Sequence, residues 1–307
     1  MLTILMATYN GEKYLKEQID SLLNQTFTDF TLYIQDDVST DGTWGILTNY
    51  QQKYPDKIKI VQNEINSGSA KNNFLNLMTT IKDDYLMLCD QDDVWLPDKI
   101  KITMAKMKEM EQNYPNKPIV VHTDLKVVDR NLNVIHPSYK TAANRNYNKN
   151  TYPHIVTLNN VSGCTSLYNR SLADLLSKKP DYTVMHDWWL QLVAASFGKV
   201  GHVNEPTILY RQHEDNSSGA KDVRSIKYKL KCLLNSDEVR KSIHSTFPQA
   251  KCFLESYVDI LSHEQINFLQ AYCKIPSMGK FGRIKTIFVL GAYMNGISRN
   301  IAYLMFV

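Results

Sequence analysis

Several features that would mark an extracellular or a nucleic-acid-binding protein are missing from this sequence. Its five cysteines are odd in number, widely spaced and without a CxxC pair, which argues against a disulfide framework and favours a reducing compartment. A net charge of +4 is too small to indicate nucleic acid as the partner. The first residues, MLTILMATYNGEKYL, lack a basic start and soon turn polar, so they predict a buried strand rather than a signal peptide. We therefore expect a cytoplasmic protein.

The composition is that of a folded globular chain, with 43% hydrophobic and 21% charged residues. A chain of 307 residues has room for one large domain or for one domain with an appendage. The charge is uneven: from Asn216 onward there are thirteen Lys and Arg against six Asp and Glu, while the preceding part is mildly acidic. We predict a domain over residues 1–215 and a basic region over residues 216–307, with different partners.

The first half alternates short apolar runs with helical patterns, which predicts an α/β domain with a largely parallel sheet. The predicted strands are Leu2 to Ala7, Phe30 to Gln35, Ile58 to Gln62 and Tyr85 to Cys89. Three of them run into polar loops, at Thr8–Asn10, Asp36–Asp37 and Asp90–Asp93. Because ligands of open α/β sheets bind beyond the carboxyl ends of the strands, we expect these loops to meet at one ligand-binding edge.

The later part of the chain is less regular. Ile119 to Val128 predicts a strand, and residues 136–153 are so poor in aliphatic side chains that they predict a mobile loop. NNVSGCTSLYNR predicts a buried strand entered through Gly163, and MHDWWLQLVAASFG predicts an amphipathic helix. From about Asp222 to the end the pattern is almost entirely helical.

The stretch DQDDVW holds three carboxylates within four residues, Asp90, Asp92 and Asp93. Like charges this close repel one another unless a positive group neutralises them. A hard cation such as Mg²⁺ or Mn²⁺ would do so, since it binds carboxylate oxygens and shares them with substrate phosphates. The alternative is that the acids stabilise the N-terminus of a helix that begins near Pro97. The residues alone leave both interpretations open.

The stretch YIQDDVSTDGT carries Asp37 to the same edge as Asp92. A carboxylate there can accept the N3–H of uracil or thymine, and Tyr9 from the preceding loop can stack on the base. For Ser39 and Asp41 turn and capping chemistry is the better explanation, because both residue types favour turns and helix N-termini.

Six stretches occur in the order and approximate spacing of one enzyme family: ILMATYNGEKYLKEQIDSLLNQTF, IQDDVSTDGT, DQDDVWLPDKI, NVSGCTSLYN, MHDWWL and LYRQHEDN. On these motifs the chain resembles the inverting family-2 glycosyltransferases, which have the GT-A fold, a Rossmann-like domain that binds nucleotide-sugars. Within the family it looks most like the bacterial rhamnosyltransferases that build rhamnose-rich cell-wall or capsular polysaccharides. The resemblance is strong over residues 1–215 and loose over the rest, where a helical C-terminal extension is expected.

The resemblance implies a donor site in the first part of the chain. Thr8, Tyr9 and Asp37 would hold the nucleobase and ribose, and Asp90 would touch the ribose or the sugar. The other donor contacts expected are Asn10, Gln91, Gly163 and Arg211. Gly163 would lie beneath the donor sugar, or serve close packing in a strand, and Arg211 would meet a phosphate oxygen, or serve as a salt-bridge partner.

The resemblance also implies a metal site on the donor diphosphate. Asp92 would be the direct carboxylate ligand of Mg²⁺ or Mn²⁺. A late histidine often completes the site in the family, and His213 occupies that place. The alternative for His213 is a surface histidine beside Glu214 and Asp215.

Asp187 in MHDWW matches the position of the family's catalytic base. Inversion is a single displacement in which the acceptor hydroxyl attacks opposite the leaving diphosphate and loses its proton, and a carboxylate can accept that proton. Without the resemblance, Asp187 would be assigned as a helix N-cap. The family usually has Glu-Asp where this chain has His186-Asp187, so the role of that Glu must fall to another group.

Aromatic side chains near these motifs predict contacts with the acceptor sugar. Trp188 and Trp189 follow Asp187 directly, and because aromatic faces stack on sugar rings we expect one at the acceptor and the other in the core. His186 and Trp95 are assigned to the acceptor side as well.

The C-terminal part is basic and apolar. Residues 221–231, KDVRSIKYKLK, hold five cations, and the uncharged segment from Thr286 to Ser298 has thirteen residues, short of the ~20 that a spanning helix needs. This predicts an interfacial helix beside anionic headgroups, with Lys274, Lys280, Arg283 and Lys285 upstream. A helix packed on the catalytic domain or in a homodimer interface is the alternative.

The resemblance therefore implies an enzyme that moves L-rhamnose from dTDP-L-rhamnose to a hydroxyl of a growing, lipid-linked bacterial glycan, at the inner face of the cell membrane. A UDP-hexose enzyme of the same family is the close alternative, because Asp37 would accept uracil and thymine alike. A nucleotide-sugar-binding subunit without catalysis is the alternative from another class, and it would tolerate the loss of Asp187.

Overall fold

In the computed structural model, residues 1–214 and 236–307 are described, and they form two compact units. The first unit contains Met1–Tyr139, Val161–Lys179 and the chain from Phe197, while the second contains Lys140–Asn160, Pro180–Ser196 and the C-terminal helices. Each unit is thus assembled from separate stretches of sequence. The boundary expected at residue 215 stays a prediction, since Asp215 and the basic stretch 221–231 lie outside the described residues.

The first unit contains a mixed β-sheet. Its strands are β1 (Leu2–Thr8), β2 (Thr31–Asp36), β3 (Ile58–Gln62), β4 (Tyr85–Cys89), β5 (Val94–Trp95), β6 (Ile119–Val128), β7 (Val134–His136), β8 (Leu167–Asn169) and β9 (Lys199–Arg211). Their order is β3-β2-β1-β4-β8-β6-β9-β5, with β7 beside β6. The pairs among β1 to β4 are parallel, as is β6 with β9, whereas β5, β7 and β8 pair antiparallel. The predicted α/β domain is confirmed, and its sheet is parallel over the first four strands.

The helices of the described residues are numbered in chain order: α1 (Leu15–Leu23), α2 (Thr43–Lys53), α3 (Ala70–Thr80), α4 (Lys99–Asn113), α5 (Tyr139–Ala142), α6 (Tyr152–Thr157), α7 (Arg170–Leu175), α8 (His186–Phe197), α9 (Ser236–His244), α10 (Thr246–Tyr257), α11 (His263–Cys273), α12 (Lys280–Leu290) and α13 (Ile297–Phe306). Local chemistry explains their positions. In α1, Leu15, Ile19 and Leu22 recur on one buried face. Helix α3 begins after Ser69, whose side chain accepts a hydrogen bond from the backbone N–H of Asn72 at 3.2 Å.

The core of the first unit lies on the parallel strands. All seven residues of β1 are buried, and the strand is a nearly continuous apolar run. Such a run is typical of strands that are covered on both faces. The polar residues that follow each strand therefore begin where the core ends.

The mobile loop predicted for residues 136–153 is wrong, because this segment contains α5 and the start of α6. It is poor in apolar residues, yet four of those it has are buried: Ala142, Ala143, Tyr147 and Tyr152. A segment whose mean composition is that of a loop can thus be anchored by a few buried side chains.

The end of the chain is helical, as predicted. The uncharged segment Thr286–Ser298 is not one helix, because α12 ends at Leu290 and is followed by Gly291, which has the left-handed φ of 61° that glycine adopts readily. Within residues 1–214 and 236–307, no helix combines the length and the apolar character needed to cross a membrane.

Candidate active site

The carboxyl ends of the parallel strands bring the predicted donor-site loops together in the first unit. In the register of the sheet, Thr8 at the end of β1 lies beside Asp36 at the end of β2, and Met6 lies beside Cys89 at the end of β4. The loops that follow these strands therefore share one edge of the sheet, as the sequence predicted.

Reciprocal hydrogen bonds join the loops after β1 and β4. The backbone N–H of Tyr9 donates to the side-chain oxygen of Gln91, and the side-chain nitrogen of Gln91 donates to the Tyr9 carbonyl, each at 2.9 Å. A Cβ atom on Gly11 would lie 2.4 Å from the Gln91 side chain, so only glycine fits there without a shift. Gln91 thus fixes the backbone of Tyr9. Tyr9 is 47% exposed, so a flat ring could stack on its side chain.

Asn10 connects the β1 loop to the loop after β2. Its backbone has a φ of 47°, in the left-handed region that asparagine tolerates better than most residues. Its N–H donates to the Ser39 hydroxyl at 2.9 Å, and its side-chain oxygen accepts from the N–H of Thr40 at 2.8 Å. Asn10 therefore fixes the edge of the site.

Asp36, which the sequence analysis did not assign to the site, is the buried support of this edge. Its carboxylate accepts hydrogen bonds from the hydroxyls of Thr8 at 3.0 Å and Ser39 at 2.6 Å, and from the side-chain amide of Gln62 at 2.9 Å. The turn role expected of Ser39 is thereby observed, since its backbone N–H also donates to Asp36 at 3.0 Å, but Ser39 does not cap α2, whose N-cap is Gly42. The sequence did carry a signal for this role, since Asp36 is the first of two adjacent acids at the end of a predicted strand.

Asp37 is also buried, and its carboxylate lies between two neighbouring segments. One oxygen accepts from the backbone N–H of Ser67 and from the side-chain amide of Asn63, both at 2.7 Å. The other accepts from the Ser67 hydroxyl at 2.8 Å. These donors fix the carboxylate at the edge of the sheet, and its contact with a nucleobase stays a prediction.

The acidic loop after β4 is joined to the end of β9. An oxygen of Asp92 and the Nε2 of His213 lie 2.9 Å apart, and the two side chains are 17% and 9% exposed. The ring of Tyr14 packs on that of His213, with 4.7 Å between centroids. The structure thus unites two residues 121 positions apart that the resemblance had paired as metal ligands.

A carboxylate oxygen suits Mg²⁺ and Mn²⁺ alike, whereas an imidazole nitrogen suits a transition metal, so Asp92 and His213 together fit Mn²⁺ better than Mg²⁺. Among the described residues, Asp90, Asp93 and Cys164 also bring ligand atoms within 4.8 Å of one another. Burial raises the pKa of Asp93 well above its usual range, with the charges of Asp92 and Asp90 adding to the shift, and burial likewise raises the pKa of Cys164. Asp92 with His213 stays the metal site that the resemblance implies.

Arg211 is buried and holds the acidic loop in place. Its Nε donates to the Asp92 carbonyl and its Nη1 to the Arg130 carbonyl, each at 2.8 Å. Its Nη2 pairs with the carboxylate of Glu17, and its guanidinium lies 4.6 Å from the centre of the Tyr14 ring. The salt-bridge alternative is therefore what the structure shows, and a phosphate contact stays a prediction.

A buried lysine, missed in the sequence, lies behind the same loop. Lys99 donates to the Thr165 carbonyl at 3.3 Å, and its ammonium group lies 4.5 Å from the ring centre of Trp95. Burial lowers the pKa of Lys99 to about 8. Trp95 is 2% exposed and packs in the core, so its contact with an acceptor stays a prediction.

Gly163 begins a short 3₁₀ helix, Gly163–Thr165, that leads into β8. The strand predicted here is therefore shortened to the three residues of β8. Gly163 belongs to the first unit, with the donor-site residues. Its contact with the donor sugar stays a prediction.

The predicted base belongs to the second unit. Asp187 lies in the first turn of α8, where its carboxylate accepts a hydrogen bond from the side-chain amide of Asn159 at 3.0 Å. Asn159, which sequence reasoning missed, is thus positioned to orient this acid. An acid in a first turn is also stabilised by the helix dipole, so a capping contribution and a catalytic role are compatible.

The neighbours of Asp187 are buried. Trp188 donates from its indole N–H to the Ile155 carbonyl at 2.6 Å, and Trp189 packs edge-on against Phe253, with 5.4 Å between centroids. Trp189 is thus a core residue, as was expected of one of the pair. His186 is buried in the same turn, and the acceptor contacts assigned to His186 and Trp188 stay predictions.

Comparison with known proteins gives one matching family model, described as glycosyl transferase family 2, over residues 3–176, more than half of the chain. A curated relative, the dTDP-rhamnosyl transferase RfbG of Shigella flexneri, is 29% identical over 250 residues, covering 78% of this chain and 82% of the relative.

Two solved structures share the fold. TarS residues 1–349 of S. aureus, in complex with UDP-GlcNAc, matches 99% of this chain and 90% of its own, with a TM-score of 0.56 and 17% identity. The mannosyltransferase PcManGT from Pyrobaculum calidifontis, in complex with GDP-Man and Mn²⁺, matches 99% of this chain and 84% of its own, with a TM-score of 0.57 and 13% identity.

Proposed function

Because the chain belongs to glycosyl transferase family 2 and has the GT-A fold that was expected of it, we propose that it transfers L-rhamnose from dTDP-L-rhamnose to a hydroxyl of a growing bacterial surface polysaccharide. The observation that carries the proposal is the likeness to a dTDP-rhamnosyl transferase over most of both chains. The chain carries the candidate donor-site residues and the candidate base, with His186 where the family usually has Glu.

The donor site is the edge formed by the loops after β1, β2 and β4. Thr8, Tyr9 and Asp37 hold the nucleoside, with the Tyr9 ring stacked on the base and Asp37 accepting its N3–H. Support comes from the exposure of Tyr9 and from the hydrogen bonds that fix the Asp37 carboxylate. Preorganised acceptors of this kind select a ligand at little entropic cost.

Asp92 and His213 hold the divalent cation, Mg²⁺ or Mn²⁺. When bound, the cation supplies stabilisation of the negative charge that develops on the leaving diphosphate. Arg211 holds the Asp92 backbone so that the carboxylate keeps its place beside His213. His213 is thereby oriented by Asp92 on one side and by the Tyr14 ring on the other.

Asp187 acts as the general base. The acceptor oxygen forms a bond to the anomeric carbon while the bond from that carbon to the diphosphate oxygen breaks, and the hydroxyl proton passes to the Asp187 carboxylate. One displacement inverts the configuration, so a β-linked donor gives an α-linked rhamnoside. Asn159 orients the carboxylate through its hydrogen bond at 3.0 Å.

The acceptor is a glycan carried on a lipid, and the enzyme works at the inner face of the membrane. The exposed apolar side chains and the cations of the C-terminal helices support that location.

The test is turnover and binding across dTDP-rhamnose, UDP-glucose, UDP-galactose and UDP-GlcNAc, with Mn²⁺, Mg²⁺ or EDTA, for wild type and Asp187→Ala. We expect metal-dependent turnover of dTDP-rhamnose that is lost in the variant, while donor binding survives. Asp181→Ala, which removes an exposed acid of the same unit, is the matched control and should keep full activity. Turnover of a UDP-sugar instead would reassign the donor. Donor binding without turnover, even with lipid-linked acceptors present, would favour a binding subunit.

A further inference from the structure

The C-terminal helix α12 turns apolar side chains outward. Phe281, Phe288 and Val289 are exposed, by 91% in the case of Phe281 and 75% in the case of Val289, while Ile287 is fully buried. Together with exposed Lys285 they recur at the i, i+4, i+7 and i+8 spacing that places residues on one helical face. A soluble helix normally keeps its apolar face inward, so this face is built to be covered.

The last helix, α13, repeats the arrangement. Ile297, Ile301 and Met305 are exposed, by 82% in the case of Ile297, and their spacing of four residues forms one stripe. Tyr303 is buried on the other side. Two consecutive helices thus each pack through one face and leave an apolar face without a partner in the described chain.

The two helices are here called the terminal helix pair (Lys280–Leu290 and Ile297–Phe306), and hydrogen bonds join the start of the first to the end of the chain. The ammonium of Lys280 donates to the Met305 carbonyl at 2.6 Å, and the Arg283 guanidinium donates to a C-terminal oxygen of Val307 at 3.0 Å. The start of α12 therefore lies beside the end of α13. The apolar residues at those two ends belong to the same region of the surface.

The charge of this region selects its partner. After Glu264 the sequence has no acidic residue, while it has Lys274, Lys280, Arg283, Lys285 and Arg299. A second copy docked through the same face would place like charges against each other, which is unfavourable. An anionic lipid surface is complementary to both properties, since it takes apolar side chains below its headgroups and attracts cations to them. At eleven and ten residues the helices are too short to span a bilayer, so they would lie along its surface.

We propose that the terminal helix pair docks on an anionic lipid surface, with Phe281, Phe288, Val289 and Ile297 below the headgroups and Lys285 among them. The proposal deepens the proposed function, on which it rests for its purpose, because a lipid-linked acceptor is presented at such a surface. Its geometry involves the second unit alone.

The experiment is sedimentation of the full chain with vesicles of phosphatidylcholine containing about a third phosphatidylglycerol, against vesicles of phosphatidylcholine alone. We expect binding to the anionic vesicles that weakens with salt. The double variant Phe281→Ser/Val289→Ser should bind at least about tenfold more weakly, and Lys285→Glu at least about fivefold more weakly. The control is Val258→Ser/Ile260→Ser, which alters exposed apolar residues of the same unit outside the pair and should bind as wild type does.

Absence of vesicle binding, equal binding to both vesicle types, or equal binding by all variants would overturn the proposal. So would a dimer, seen by analytical ultracentrifugation, that the Phe281→Ser/Val289→Ser change dissociates, since the face would then belong to a second copy. Asp187→Ala should bind vesicles like wild type. Wild type that binds vesicles but turns over no donor would speak against the enzymatic proposal alone, and wild type that turns over the donor but binds no vesicles would speak against lipid docking alone.

Discussion

The acidic loop after β4 and the first turn of α8 both present carboxylates, but the protein supports them differently. Asp92 and Asp93 depend on residues that follow more than a hundred positions later: His213 contacts Asp92 at 2.9 Å, and the backbone N–H of Arg211 donates to Asp93 at 3.1 Å. Asp187 projects from a helix, with Asn159 as a donor 28 positions away. The comparison indicates that the loop acids are coupled to the folding of their unit, and we expect Asp187, which projects from one helical turn, to be coupled to folding more weakly.

The largest effect should come from removing the charge of Asp187. Asp187→Asn keeps the shape of the side chain and an oxygen that can accept from Asn159, but it cannot accept a proton. We expect kcat for sugar transfer to fall by about 10²–10⁴, while the free energy of unfolding falls by only about 1 kcal/mol, the size of a helix-dipole contribution. Steady-state kinetics and urea unfolding measure the two quantities.

Asn159→Ala sharpens this prediction, because it removes the orienting donor and leaves the base. Its kcat should fall less than that of Asp187→Asn, with donor binding unchanged. A large loss of stability in Asp187→Asn would contradict the comparison, since Asp187 would then be a structural acid.

The next effect should be on stability in the first unit. Arg211→Ala removes bonds to Glu17, to the Asp92 carbonyl and to the Arg130 carbonyl, so it should destabilise the fold by about 2–4 kcal/mol. The stability of Arg211→Lys should lie between those of wild type and Arg211→Ala, since an ammonium group cannot reproduce the planar guanidinium fork. Urea midpoints give the values.

The control is Arg130→Ala, which alters an exposed side chain and keeps the carbonyl, and which should change stability by less than ~0.5 kcal/mol. Equal stability of Arg211→Ala and wild type would break the proposed coupling between the loop and the fold.

The parallel strands and their polar loops could be predicted because apolar runs of five to seven residues carry a strong signal. The mixed part of the sheet could not, since β5 and β8 have only two and three residues and show no periodicity. The mobile loop predicted for residues 136–153 was wrong because composition does not reveal which of a few apolar side chains point inward.

In the candidate site, too, some residues could be predicted from the sequence and others could not. Asp92 could be proposed from its own sequence, yet its partner His213 follows from the resemblance, because no local pattern relates residues 121 positions apart. The burial of Lys99 was missed because lysine is rarely buried and nothing in its neighbours marks it. Asn159 was missed for the related reason that its role depends on the tertiary position of α8.

A smaller effect is expected from Lys99, the buried lysine near the acidic loop. It should appear in the pH dependence of the free energy of unfolding. Burial lowers the pKa of Lys99 to about 8, against 10.5 for a free lysine. Between these values the unfolded chain binds more protons than the folded chain, so the Lys99 contribution to stability rises as pH rises through about 8. From pH 7 to pH 9.5, wild type should gain about 1–2 kcal/mol relative to Lys99→Met.

Urea unfolding at the two pH values measures this difference. Lys101→Met, on the exposed side of the same helix, should show no such change relative to wild type. If the free energies of unfolding of wild type and Lys99→Met changed equally with pH, Lys99 would titrate like an exposed lysine, and the prediction would be wrong.

The smallest effect should come from the exposed member of the donor edge, which tests whether that edge binds a base without taking part in folding. Tyr9→Ala removes a ring that is 47% exposed while keeping the backbone atoms that bond to Gln91. Loss of base stacking worth about 1 kcal/mol should weaken dTDP binding roughly fivefold, with unfolding unchanged. Calorimetric titration with dTDP measures the affinity, and Tyr9→Phe, which retains the ring, should bind as wild type does. Unchanged affinity in Tyr9→Ala would remove Tyr9 from the donor site and leave Asp37 as the nucleobase contact to be tested there.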